Sequence, residues 1–89
     1  MQSIKINAGE ALWRNNMLPE GILERWIVTD GEVASEGHAV AEIRIECALH
    51  DVISPATGRL NILAPKLAVI EPGFLLATVD VGSEAGAKT

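Results

Sequence analysis

The chain has 89 residues, enough for one domain around one modest core. Its 7 Lys and Arg stand against 12 Asp and Glu, and a net charge of −5 repels nucleic-acid backbones and anionic membrane surfaces, leaving proteins as the expected partners. Hydrophobic residues make up 48% and aromatics only 3%, so the core must be built from Ile, Leu, Val and Ala, and no apolar run reaches the roughly 18 residues of a membrane span.

Glycines and prolines punctuate the chain, and the segments between them are short, apolar and partly alternating, the pattern of a small sandwich or barrel. In chain order the expected strands are Ser3 to Asn7, Ile22 to Val28, Ala39 to Ile45, Leu49 to Ile53, Leu60 to Leu63 and Leu75 to Val81. A long connection, Ala8 to Glu20, carries Trp13, Asn15, Asn16 and Pro19, with room for one helical turn around Glu10 to Trp13. The domain is expected to span residues 1–81. Residues 82–89 are small and polar and read as a flexible tail, or Gly82 to Ala87 as the start of a linker to a further domain. The first seven residues lack the apolar stretch of a secretory leader. Cys47 is the single cysteine and excludes an internal disulfide, so the expected compartment is the reducing cytoplasm.

A shift of 36 residues lays the chain on itself. Trp26 and Ile27 fall on Ile62 and Leu63, Val33 on Val69, Gly37 on Gly73, Ala39 on Leu75, Ala41 on Ala77 and Ile43 on Val79. Gly21 meets Gly58 only at a shift of 37, a slip of one residue. Two copies of one strand unit predict two interlocked sheets related by a pseudo-twofold axis. Chance is the competing explanation, because Gly, Val and Ala are common. Between the halves, Ala41 to Ile45 and Leu49 to Ile53 can pair antiparallel around Glu46, Cys47 and Ala48, which puts Glu46 and Cys47 at an exposed hairpin tip.

These segments together resemble the biotinyl/lipoyl attachment domain family. Pro19-Glu20-Gly21 through Val28 resembles its opening strand, where a Gly-led apolar run often carries a Trp. Asp30-Gly31-Glu32-Val33 with Gly37 resembles its turn region, Ser54-Pro55-Ala56-Thr57-Gly58 the exit that opens the second half, and Glu71-Pro72-Gly73 through Ala77 its closing strand. The resemblance covers roughly residues 3 to 81. No single motif is specific; the ordered set with its repeat is. It implies an all-β fold, a flattened barrel-sandwich hybrid of two four-stranded antiparallel sheets.

The family carries lipoate or biotin on one lysine at the hairpin tip. Counting from Ala41-Glu42-Ile43 and back from Ser54-Pro55 places Cys47 at that position, flanked by Glu46 and Ala48 in a lipoyl-like tip. Lys5, Lys66 and Lys88 are remote from it in sequence. A thiol cannot form the amide that ties lipoate to an amine, so the resemblance carries over the fold and the docking role but no attached cofactor. It also implies that the loop holding Trp13 and Arg14 lies near the tip, where the two would form a partner-docking pair; packing against the sheet edge explains Trp13 equally well.

Cys47 has three readings: a drifted attachment site, a block on lipoylation, or a reactive thiol carrying an acyl group or mixed disulfide. Reactive thiols are set among cations, whereas Glu42, Glu46 and Asp51 surround Cys47 in sequence, with Arg44 and His50 the nearby basic groups. His38 and His50 lack the paired ligands of a zinc site and read as surface residues. Trp26 reads as core packing, and the glutamates as a solvated face. No nucleophile elbow, phosphate-binding glycine loop or His-Glu-x-x-His pattern occurs. The expectation is a non-enzymatic interaction module lacking the attachment lysine, near 2-oxoacid dehydrogenase components or acyl-transfer enzymes. The alternatives are a carrier using Cys47 and one domain of a longer dihydrolipoyl acyltransferase.

Overall fold

The structure is a computed structural model describing residues 2–14 and 20–81. The tail and the middle of the long connection, residues 82–89 and 15–19, lie outside the described residues. Among the described residues eight strands follow in order: β1 Gln2–Asn7, β2 Gly21–Trp26, β3 Val33–Ala34, β4 Ala39–Ile45, β5 Ala48–Ile53, β6 Gly58–Ile62, β7 Val69–Ile70 and β8 Leu75–Val81, with a 3-10 turn at Glu10–Trp13. They form two four-stranded antiparallel sheets, ordered β1-β8-β6-β3 and β5-β4-β2-β7. This is the all-β, two-sheet sandwich expected from the sequence. β4 and β8 have the expected bounds. β3 and β7, two residues each, were not among the expected strands, because so short a segment shows no period.

Alternation builds the core. Along β4, Ala41, Ile43 and Ile45 are buried while Glu42 and Arg44 point outward; along β8, Ala77 and Val79 are buried while Thr78 and Asp80 point outward. Leu23, Ile43, Ile45, Leu60, Ile70 and Leu76 are the largest fully buried apolar side chains. Each contributes about 1.5–3 kcal/mol of apolar burial, before the entropy of ordering it is subtracted.

The 36-residue repeat is written into the hydrogen bonds. The carbonyl of Val40 accepts from Ile27 and Val28, and that of Leu76 accepts from Leu63 and Ala64. The Gly37 N–H donates to Ser54 (2.9 Å), and the Gly73 N–H donates to Ala8 (2.7 Å). Val40 and Leu76 are also the extra residues of matching bulges, in β4 against β5 and in β8 against β1. Mapping β4 on β8, β2 on β6, β3 on β7 and β5 on β1 turns one sheet order into the other. The one-residue slip at Gly21 and Gly58 has a structural cause. β2 bulges between Leu23 and Arg25, and Glu24 is the extra residue, whereas β6 runs against β8 without a bulge.

Candidate functional site: the β4–β5 hairpin tip and its flank

Strands β4 and β5 pair from Ala39↔Ile53 to Ile45↔Ala48, and Glu46 and Cys47 alone close the turn. Glu46 has φ 55, in the left-handed region, while Cys47 does not, the φ pattern of a type II′ turn. A two-residue reversal leaves its side chains nowhere to bury. Glu46, Cys47 and Ala48 are all exposed, and Cys47 is a free thiol. The expected tip is therefore in place.

Beside the tip lies a cavity of about 210 Å³ lined by Glu20, Gly21, Ile22, Arg44 and Glu46. Gly21 itself packs tightly on β4, because a Cβ there would stand 3.0 Å from the Arg44 carbonyl oxygen and from side-chain atoms of the buried Ile43 and Ile45. The Arg44 guanidinium does not reach into solvent alone. Its Nε donates to Glu24 Oε1 at 3.1 Å. One register step further, Arg25 Nε donates to Glu42 Oε1 at 2.8 Å. That hydrogen bond holds the Glu42 carboxyl below the usual glutamate range, helped by the positive charges of Arg25 and Arg44 and opposed by desolvation.

The other site residues fall differently. Trp13 is only 7% exposed and belongs to the core cluster, with Leu12 packed against it. The expected docking pair thus loses its aromatic member: an indole supplies too much apolar surface for a core this poor in aromatics to leave outside. Arg14 remains exposed. Trp26 packs against the core, as expected, and its Nε1 donates to the Ala64 carbonyl at 2.9 Å. His38 is exposed, but His50 is a correction to the surface reading. It pairs across from the buried Ile43, is itself half-buried, and its Nε2 is enclosed without a hydrogen-bond partner among the described residues. Among the described residues, no three His, Cys, Asp or Glu side chains converge to hold a metal ion, and no helix is long and apolar enough to cross a membrane.

Ile22 and Glu20 were read as strand and loop residues, yet both line the cavity beside the tip. The signal that could have found Ile22 is its departure from the repeat, since at the slipped shift it lands on Arg59.

These features define a two-sheet β-sandwich with an exposed, thiol-bearing hairpin tip. No protein-family model matches the chain, and no curated protein matches it.

Proposed function

We propose that this chain is a lipoyl-like domain without its attachment lysine, acting as a non-enzymatic protein-interaction module beside 2-oxoacid dehydrogenase or acyl-transfer enzymes. The observation that carries the reading is the position of Cys47. It sits in the two-residue turn of the hairpin between the repeated halves, where the resemblance puts the modified lysine. The residues present do not fit lipoate or biotin as the family holds them. Lys5 lies in β1 of the other sheet and Lys66 in the connection between β6 and β7, neither in the turn, and a thiol forms no amide. A surface that partners read can outlast the group it once presented.

Two measurements test this. Titration calorimetry against purified 2-oxoacid dehydrogenase and acyltransferase subunits should show binding that weakens when Glu46 or Arg14 is changed to Ala; no binding to any of them sinks the module. Cys47→Lys, offered to a lipoate ligase beside a true lipoyl domain, should gain a lipoyl group. A folded variant that stays unmodified while the control is modified counts against the lipoyl resemblance.

The exposure of the sole thiol favours one second reading, a carrier in which Cys47 exchanges with an acyl thioester, taking the acyl group and releasing the donor thiol. Intact mass after incubation with acyl thioesters separates the two. An adduct lost in Cys47→Ser supports the carrier, and an unchanged mass supports the module.

A further inference from the structure

The two halves share a backbone plan but not an outer surface. Register fixes which outward residues lie side by side, because directly paired residues in antiparallel strands share a face. Across one sheet the row beneath the hairpin tip reads Val69, Ile22, Arg44, Leu49, from β7 to β5. The equivalent row across the other sheet reads Val33, Arg59, Asp80, Ser3, from β3 to β1. The valines correspond; every other position differs in kind. Ile22 stands where the other half has Arg59, and Leu49 where it has Ser3.

The polar row has hydrogen-bond partners close at hand: Ser3 Oγ donates to Asp80 Oδ1 at 3.1 Å, and Arg59 donates to the carbonyl of Gly31 in the turn before β3 at 2.6 Å. Both rows expose their valine, Val33 57% and Val69 54%, but only the Val69 row adds Leu49, 48% exposed, and the half-buried Ile22. Ile22 joins it to the cavity at the tip. Since one backbone plan carries both rows, the fold does not require the apolar one.

Charge around the apolar row is acidic. Arg44 and Arg25 are met by Glu24 and Glu42, while Glu20 is exposed at the cavity and Asp51 is exposed one outward position along β5 from Leu49. A second copy of the chain is a poor occupant. Both copies would bring a net charge of −5 to the contact and repel one another.

We infer that the row Val69–Ile22–Arg44–Leu49 is a docking strip for a partner protein that presents apolar side chains within a basic surface. The inference deepens the interaction-module reading and rests on it. Apolar contact supplies affinity at the strip, and the acidic surround steers the basic partner toward the tip above it.

The test uses the full ¹⁵N-labelled chain and three hexapeptides: alternating lysine and leucine, lysine only, and alternating glutamate and leucine. The first should shift the amides of Ile22, Arg44, Leu49 and Val69 saturably, and the two controls should not. Ile22→Arg and Leu49→Ser should each weaken that binding by about tenfold, the effect of losing one central apolar contact. Both variants should fold, because Arg59 and Ser3 occupy the same places in the other half. Equal shifts with the lysine-only peptide, equal shifts along the Val33–Arg59 row, or no shift at the strip would overturn the inference. So would a concentration-dependent dimer abolished by Ile22→Arg, which would assign the strip to a second copy. Shifts confined to Glu46, Cys47 and Ala48 would sink the strip and leave the module reading standing; failure of the module itself appears separately, as absent binding in calorimetry.

Discussion

Gly21 and Gly58 occupy one place in the two halves, each pressed against the backbone of the neighbouring strand. A Cβ on Gly21 would lie 3.0 Å from the Arg44 carbonyl oxygen and 3.0 Å from side-chain atoms of Ile43 and Ile45. On Gly58 the obstacle is harder: a Cβ would overlap the Asp80 carbonyl oxygen and stand 2.8 Å from its carbon, so backbone must move. Gly58→Ala is therefore expected to destabilise by about 2–3 kcal/mol and Gly21→Ala by about 1 kcal/mol, as overpacking of rigid and of yielding surroundings does. Urea unfolding of both variants checks the order, and equal losses would show that β6 can shift away from β8.

Leu67 and Gly31 form a second matched pair, with φ 72 and φ 88 at equivalent turns. Gly31 adopts that conformation without cost, whereas a leucine there is strained by about 1–2 kcal/mol. The Leu67 side chain is 61% exposed and returns little by burial. Leu67→Gly should thus stabilise by about 0.5 kcal/mol, the relieved strain less the extra entropy of glycine in the unfolded chain. Leu67→Ala keeps the strain and should gain nothing. Thermal midpoints of the two variants separate backbone from side chain, and a gain in the alanine variant would locate the cost in the exposed leucine instead.

The repeat was legible because it lies in residue types that turns and cores demand, such as Gly37 with Gly73 and Ile43 with Val79. β4 and β8 kept their expected bounds because seven residues show clear alternation. β3 and β7 did not emerge, and the bulge at Glu24 was visible only as an unexplained slip between glycines. The hairpin tip followed from the repeat and the spacing of its flanks. The apolar row did not, because Val69, Ile22 and Leu49 are neighbours only through cross-strand register, which no local pattern states. Trp13 stayed open between docking and packing for a related reason: polar neighbours in sequence describe its loop, while its burial is decided by the core it packs into.

Burial gives Trp13 a measurable weight. Trp13→Ala should cost about 3–5 kcal/mol, the usual range for emptying a large core site. Its Nε1 has no hydrogen-bond partner among the described residues, so Trp13→Phe should cost well under half of that, losing volume but no bond. Arg14→Ala, one residue on and exposed, should stay within about 0.5 kcal/mol of the parent. A folded, fully stable Trp13→Ala protein would return Trp13 to the surface and restore it as a docking anchor.

The Arg25–Glu42 pair predicts how acid acts on the outer face of β2 and β4. Glu42 is held below its ordinary value of 4.5 by the hydrogen bond from Arg25, so the folded chain binds this proton less readily than the unfolded chain. Its contribution is complete above pH 4.5 and is lost as the pH falls through the lowered folded value. In Glu42→Gln that contribution is absent at every pH. The stability gap between parent and variant should accordingly hold steady from neutral pH to about pH 4.5 and then close toward more acid conditions. Because Arg25 is well exposed, concentrated salt should narrow the gap at neutral pH as well. Denaturant midpoints of both proteins across this range decide the matter. A gap that persists undiminished into strong acid would mean that Glu42 acts through packing and not through its charge.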